Sequence, residues 1–245
     1  MLQRLRRKAN QQSDMTLVEH LTELRRRIII TLLAVAIAVV VGFYLSDRIV
    51  AYIAELPGSL VYLYPGEAFF VHLKLALVFG LAAASPVILY QLVGFVTPAL
   101  NDVEKRALFV GIPFAALMFA GGVVFAYQVI VPIAYRFFMS FGSGILQPVI
   151  SIGSYVSFVL GIILPFGVVF QMPLVVVLLC WAGILTPQTL IRYRRFIILG
   201  VLVAAAIFTP PDVISQTLMA GPMLLLYELS ILLGKVVVRK KDKKQ

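Results

Sequence analysis

Residues 20–45 read HLTELRRRIIITLLAVAIAVVVGFYL, a short charged segment that continues directly into a long apolar run. Thr16 and Glu19, just upstream, have the spacing of a capping box, so a helix is predicted to begin near Leu17. Apolar side chains form one stripe along this helix, and Glu19 and Glu23 lie on the opposite stripe. The apolar stripe comprises Leu17, His20, Leu21, Leu24 and Ile28. Such a helix is expected to lie at a membrane interface and to present both carboxylates to the cytosol.

Glu23 also has a purely structural interpretation. Arg27 follows it by four residues, the spacing at which opposite charges on one helix meet, and such a pair adds only about 0.2–0.5 kcal/mol to helix stability. Taken alone, the local pattern favours this ion pair over a binding role. The choice therefore depends on the rest of the chain.

The composition indicates a polytopic membrane protein. Hydrophobic residues make up 61% of the 245 and charged residues 13%, whereas soluble domains average roughly 45–50% and 25%. The net charge of +10 does not indicate a nucleic-acid-binding protein, because the basic residues lie at the ends of apolar segments rather than on one face of a soluble module. Cys180 is the only cysteine, which excludes an internal disulfide and a thiolate metal site.

Apolar runs predict an all-α membrane protein with six transmembrane helices. The runs are residues 28–45, 69–95, 107–130, 155–182, 196–208 and 213–234, with external loops at 46–67 and 131–154. Pro165 and Pro173 are expected to bend the fourth helix. The fifth run reaches only about 20 Å, so the fifth and sixth helices are predicted to be a short pair, joined tightly by residues 209–212.

The distribution of Lys and Arg predicts the orientation. If the N-terminus is cytosolic, 18 of the 21 Lys and Arg residues lie on the cytosolic side, as the positive-inside rule requires, and six spans place both termini there. The predicted organisation is a disordered basic tail (1–15), one six-span membrane domain (16–235) and a basic cytosolic tail (236–245). The N-terminal region is not a signal peptide, because its apolar run is too long. Met1 and Met15 both remain open as the start of translation.

The residue inventory argues against an enzyme and against a metal or nucleotide cofactor. The two histidines are predicted on opposite sides of the membrane, and no zinc-binding spacing or phosphate-binding loop occurs. Carboxylates within the spans, the usual mark of an ion pathway, are few. Several amides and hydroxyls remain at mid-depth, where helix-to-helix hydrogen bonding and a functional role are both open. They are Gln91, Gln171, Thr209, Ser215 and Gln216.

Three motifs in matching order resemble the TatC family, the multi-spanning receptor component of the twin-arginine protein translocase, over residues 17–235. They are HLTELR at 20–25, SPVILYQ at 85–91 with FVTPAL at 95–100 before EKR at 104–106, and TPPDVISQ at 209–216. The resemblance implies a concave, glove-shaped six-span fold in the cytoplasmic (inner) membrane of a bacterium. It also implies that the chain binds twin-arginine signal peptides of folded cargo and acts with single-span TatA-type and TatB-type partners in a multi-protomer complex. Transport would use the proton-motive force and no cofactor.

The resemblance assigns roles to particular residues. The signal-peptide site maps onto His20, Leu21, Glu23, Arg25, Phe95, Pro98 and Glu104. The partner-facing or mid-membrane polar positions map onto Tyr127, Gln171, Thr209, Asp212 and Gln216. Two positions depart from the family pattern: Gln171 stands where many members have Glu, and Val93-Gly94 stand where an aromatic is common, which is expected to loosen the packing there.

Two other functions fit an apolar chain of this kind. A small-molecule secondary transporter should carry an internal repeat of its helix pattern, and none is found, because the short fifth and sixth helices have no counterparts in the first half. A structural membrane anchor would be indifferent to changes at Glu23 and Glu104.

Overall fold

A computed structural model of the chain describes residues 17–96, 102–142, 148–208 and 213–242. Within these ranges the chain is helical, with one isolated β-bridge and no strand. The helices are α1 (Leu17–Ala54), α2 (Glu67–Val96), α3 (Asp102–Phe125), α4 (Val131–Ser140), α5 (Ile152–Val169), α6 (Met172–Ala182), α7 (Pro187–Arg192), α8 (Arg194–Phe208) and α9 (Val213–Asp242). A π-helical turn, Ala126–Ile130, joins α3 to α4.

Five helical segments of the described residues are long and apolar enough to cross a membrane. They are His20–Ala54, Glu67–Phe95, Gly111–Ser140, Ile152–Trp181 and Val213–Arg239. The prediction of an all-α membrane protein is confirmed. Helix α8 has 15 residues and reaches only about 22 Å, less than the roughly 30 Å of a hydrocarbon core. The count of six spans therefore stays a prediction.

The chain divides into two compact units, Met1–Ile49 with His72–Pro113, and Val50–Val71 with Phe114–Gln245. In the first unit, α1 and α2 approach closely at Gly80. A Cβ atom there would lie 2.8 Å from the backbone nitrogen of Val39, so a larger residue would force the helices apart. Small residues serve this purpose between membrane helices, where the lipid provides no hydrophobic force for association.

The second unit contains a core between α6 and α9. Its buried members are Val176, Cys180, Leu190, Tyr227 and Ile231. The Tyr227 hydroxyl donates a 2.7 Å hydrogen bond to the Leu190 carbonyl oxygen, which satisfies the polar end of an otherwise buried ring. Arg194, at the start of α8, forms an ion pair with Glu228 of α9. The hydrogen bond to Glu228 raises the pKa of the Arg194 guanidinium.

The segments that precede α2 and α5 are clamped together in the second unit. Val61 donates its N–H to the Ile150 carbonyl (3.1 Å) and accepts the Ile152 N–H (2.9 Å). The buried Glu67 carboxylate accepts the Leu63 N–H at 2.6 Å and the Gly153 N–H at 2.9 Å. These contacts join the first residues of α2 and α5 and the segments before them, which are distant in sequence.

The predicted external loops at 46–67 and 131–154 are partly helical, so their boundaries were wrong. Helix α1 continues to Ala54 because no breaker occurs before Pro57-Gly58, and Ile53 gives the extension a buried apolar contact. Helix α4 continues to Ser140, and Pro132 is tolerated because it lies in the first turn of α4, where its missing N–H is not needed.

The fourth predicted span is interrupted near its middle, where its prolines predicted a bend. Helix α5 ends at Val169 and α6 begins at Met172, with Gln171 between them. Pro173 cannot donate the N–H that would continue the helix, whereas Pro165 lies within α5 without ending it.

The sixth predicted helix is not short. The prediction that the fifth and sixth helices are both short is therefore wrong for the sixth. Helix α9 has 30 residues and extends past the apolar run to Asp242. The basic residues after 234 are good helix formers, and they prolong α9 beyond the membrane-compatible stretch. The tight connection at 209–212 lies outside the described residues.

Candidate functional site

The carboxylate of Glu23 forms an ion pair with Arg27 on the side of α1 that meets α2. Its Oε1 atom accepts hydrogen bonds from Arg27 Nε at 3.0 Å and from Arg27 Nη2 at 2.5 Å. The two side chains are only 22% and 21% exposed. The other oxygen, Oε2, is buried and has no hydrogen-bond partner among the described residues. One half of the carboxylate is therefore saturated by a guanidinium, and the other half is unused.

The guanidinium of Arg27 also rests on α2. Its Nη1 atom lies 3.3 Å from the side-chain oxygen of Gln91 and 3.4 Å from the Gln91 carbonyl oxygen. Beneath it lies the buried Gly94, where a Cβ atom would come within 2.0 Å of Nη1. The prediction that Gly94 loosens the packing is therefore wrong. The missing side chain of the glycine leaves the space that the guanidinium fills.

The same side of α1 carries His20, whose ring stacks on Phe95 of α2. The ring centroids are 4.3 Å apart and the planes differ by 25°. This arrangement corrects the predicted faces of the helix: Glu23 is only 22% exposed and pairs with Arg27, which contacts α2, whereas Leu21 is 63% exposed. The error arose because Glu23 was assigned to the polar stripe by its charge, although it follows His20 by three residues and precedes Arg27 by four and so shares their side of the helix.

An apolar groove of about 180 Å³ extends from this ion pair along α1 and α2. Its lining residues are Leu24, Arg27, Ile28, Thr31, Leu32, Ile88, Gln91, Leu92 and Phe95. A ligand with a cationic group next to apolar side chains matches this combination, because the charge would meet Glu23 and the apolar part would cover the groove. Across the described part of the chain, no three His, Cys, Asp or Glu side chains lie close enough together to hold a metal ion.

Comparison with known proteins places the chain in a family. The family model described as "Sec-independent protein translocase protein (TatC)" matches residues 19–222. The chain belongs to the TatC family. It is similar to TatC of Carboxydothermus hydrogenoformans, with 40% identity over 228 residues that cover 91% of this chain and 94% of the relative. It is also similar to TatC of Aquifex aeolicus, with 41% identity over 239 residues that cover 94% and 99%.

The fold is similar to solved TatC structures. One, described as the crystal structure of the twin-arginine translocase receptor TatC, matches with a TM-score of 0.79 and 40% identity over 89% of this chain and 99% of that chain. Another, described as the same receptor in DDM, matches with a TM-score of 0.80 over 88% and 99%. The chain is thus a multi-pass membrane protein and a non-enzymatic receptor component of the Sec-independent protein translocase.

The structure brings together only part of the predicted TatC signal-peptide site. His20, Glu23 and Phe95 lie along the facing sides of α1 and α2, and the exposed Arg25 lies on another side of α1. Glu104 falls in the first turn of α3, but its side chain lies outside the described parts of the structure. Pro98 is likewise outside the described residues. The separation of the two predicted carboxylates therefore stays a prediction.

The predicted polar positions of the second unit make hydrogen bonds within the protein. The Tyr127 hydroxyl donates to the Tyr52 carbonyl at 2.9 Å, and the two rings stack 5.1 Å apart. Gln216 donates to the Leu202 carbonyl at 3.0 Å, linking α9 to α8. The Gln216 contact is a helix-to-helix hydrogen bond of the kind that the sequence left open as an alternative. Thr209 and Asp212 lie outside the described residues.

Gln171 joins the break between α5 and α6 to α3. Its Nε2 atom donates a 2.9 Å hydrogen bond to the Ala115 carbonyl oxygen. An ionised glutamate, common in the family at this position, could not donate this bond, whereas a protonated one could. The glutamine therefore supplies a permanent donor where the more usual carboxyl group would need a proton.

We predict that Gln171→Leu lowers export more than it lowers the amount of protein in the membrane. A hydrogen bond between membrane helices contributes only about 0.6 kcal/mol on average, too little for its loss to unfold the chain. Gln171→Glu should insert and keep transport, because the protonated acid can replace the amide. The measurement is export of a folded cargo, normalised to the immunoblotted level of each variant. Unmodified export by Gln171→Leu would show that the amide serves only packing.

Sequence reasoning missed the place where the Arg27 guanidinium packs, against Gln91 and Gly94 of α2. Gln91 was grouped with the mid-depth amides, and Gly94 was interpreted as a packing defect. The signal in the sequence was Arg27, one turn after Glu23, together with Gly94 close to Gln91 at the end of the second span. It becomes informative only when α1 and α2 are placed side by side.

Proposed function

We propose that this TatC-family chain binds twin-arginine signal peptides at its cytosolic edge, with Glu23 and Glu104 receiving the two arginines. His20, Leu21, Arg25, Phe95 and Pro98 would form the surroundings. Guanidinium and carboxylate groups match in geometry, and their charge-assisted hydrogen bonds are about twice as strong as neutral ones. Two adjacent arginines on a ligand are therefore best met by two carboxylates.

The observation that carries this proposal is the state of the Glu23 carboxylate. It already holds one guanidinium in a partly desolvated position, and its second oxygen is unused among the described residues. The apolar groove beside it offers room for the apolar side chains of a bound segment. A structural anchor would have no need of an unsatisfied buried oxygen, which costs about 1–3 kcal/mol or more for a charged group.

The test is photo-crosslinking of a twin-arginine peptide to the protein in membranes. We expect clear crosslinks with the twin-arginine peptide and roughly tenfold or more weaker binding of a twin-lysine peptide. An ammonium group lacks the fork of a guanidinium, and one lost charged hydrogen bond of about 1.5 kcal/mol corresponds to about tenfold in affinity. Equal crosslinking of the two peptides would contradict recognition through carboxylate and guanidinium pairs.

We further propose six spans with both termini cytosolic, in the inner membrane of a bacterium. Residues 16–235 would form one membrane domain between an N-terminal tail (1–15) and a C-terminal tail (236–245). The 18 Lys and Arg residues assigned to the cytosolic side support this orientation. In it, α8 crosses as the short fifth span and is accommodated by local thinning of the bilayer.

Single-cysteine labelling tests this orientation. In a Cys180→Ala background, a cysteine at the exposed Ser59 should react with a membrane-impermeant maleimide added outside, because it lies in the proposed external segment. A cysteine at the exposed Gln188 should react only after the membrane is opened. External labelling of Gln188→Cys in sealed cells would overturn the proposed orientation.

We also propose that TatA-type and TatB-type single-span proteins are the partners, in a multi-protomer complex driven by the proton-motive force. Tyr127, Gln171, Thr209, Asp212 and Gln216 are the polar positions that such partners would meet. Gln216 keeps its side-chain oxygen as an acceptor while its amide nitrogen bonds to Leu202. A partner helix with a polar donor could use that oxygen, since lipid offers no hydrogen bonds.

A further inference from the structure

Arg27 holds the carboxylate that the proposed function assigns to a ligand. Two of its three donor nitrogens, Nε and Nη2, converge on Glu23 Oε1, and the remaining oxygen is buried. A ligand arginine therefore meets a carboxylate of which one oxygen is occupied and the other is covered. Binding at Glu23 requires Arg27 to leave.

The surroundings of Arg27 give it a second place to rest. Nη1 is already within 3.3 Å of the Gln91 side-chain oxygen and 3.4 Å of the Gln91 carbonyl. These distances are at the long end of hydrogen bonding and would shorten if the guanidinium moved fully onto Gln91. A displaced Arg27 thus keeps acceptors, which lowers the cost of releasing Glu23.

We propose that Arg27 is a built-in competitor, an internal guanidinium that occupies Glu23 until an arginine of the signal peptide displaces it onto Gln91. The inference rests on the proposed function and adds to it a residue that sets the affinity of the site. An arginine of the ligand can replace the hydrogen bonds that Arg27 gives up, whereas an ammonium group cannot. The release of Arg27 costs the same for every ligand, so the competitor weakens the binding of arginine and lysine ligands by the same factor.

Gly94 provides the space that the guanidinium needs beside Gln91. A Cβ atom at Gly94 would lie 2.0 Å from Nη1 and 2.7 Å from Cζ of Arg27. The closest approach is therefore to the atom that contacts Gln91. Gly94→Ala should take away the place to which Arg27 is displaced without removing any charge.

The experiment measures the affinity of a fluorescent twin-arginine peptide for the purified full-length protein in detergent by anisotropy. Arg27→Gln should bind the peptide about two- to tenfold more tightly, and it should bind a twin-lysine peptide more tightly by the same factor. Gly94→Ala should bind the peptide more weakly than the unmodified protein, because Arg27 loses its place beside Gln91. The controls are Arg26→Gln, which removes one exposed positive charge from the same helix, and Gly121→Ala, where an added Cβ has no neighbour within 4 Å. Neither control should reproduce these changes.

Unchanged or weaker binding by Arg27→Gln, or tighter binding by Gly94→Ala, would overturn the competitor. If Glu23→Gln nevertheless loses binding, the peptide site stands and only the competitor fails. If neither the unmodified protein nor any variant binds the peptide, the proposed function fails together with the inference. Should Arg27→Gln not fold, Gly94→Ala alone decides, because it keeps every charge in place.

Discussion

Replacing Glu23 and Glu104 by glutamine is expected to abolish measurable crosslinking of a twin-arginine peptide while leaving the protein inserted and folded. Glutamine is close to glutamate in shape and still accepts a hydrogen bond, but it cannot pair with a guanidinium as an ion. Hydrogen bonds to charged groups are stronger than neutral ones by about 1–1.5 kcal/mol, roughly tenfold in affinity for each position. The double variant should therefore bind about a hundredfold more weakly.

The charge-reversed variants should have a larger effect than the neutral ones. Glu23→Lys or Glu104→Lys places a cation beside the basic residues already present at 25–27 and 105–106, so a ligand with two arginines would be repelled. Binding should be lost in either single variant. The matched control is Glu55→Gln, which removes one exposed carboxylate elsewhere and should bind the peptide normally. Normal binding by the double glutamine variant would refute the assignment of both carboxylates.

The parts of the fold that depend on neighbouring residues were predictable from the sequence. The break before Pro173 follows from one missing N–H. The external loops at 46–67 and 131–154 were predicted too long, and they show the limit of this reasoning. Apolar character decides where a helix can cross a membrane, but only breakers decide where it ends, and residues 46–54 and 131–140 contain none that acts.

Contacts between distant residues could not be predicted in the same way. Arg27 and Gln91 are 64 residues apart, and Glu67 and Gly153 are 86 apart. No local periodicity links either pair, because each depends on how the helices lie against one another within a unit. The ion pair of Glu23 with Arg27 was foreseeable from its spacing, but its partial burial and its support by Gly94 were not.

A second large effect is expected at Glu67, where substitution should lower the stability of the protein. The buried Glu67 carboxylate is the acceptor for two backbone N–H groups, that of Leu63 in the segment before α2 and that of Gly153 in the first turn of α5. Glu67→Ala leaves both donors without this acceptor, at a cost of about 1–3 kcal/mol each. We expect the apparent melting temperature in detergent to fall by about 4 °C or more.

Two companions make the test of Glu67 specific. Glu67→Gln keeps one oxygen and adds a donor, so it should retain one of the two hydrogen bonds and lose about half as much stability. Gly153→Ala keeps the carboxylate but places a Cβ atom 2.6 Å from its Oε1, so it should destabilise the same clamp by steric conflict. Glu55→Ala, an exposed carboxylate in the preceding segment, should melt like the unmodified protein. If Glu67→Ala melts at the temperature of Glu55→Ala, the carboxylate does not hold the two segments together.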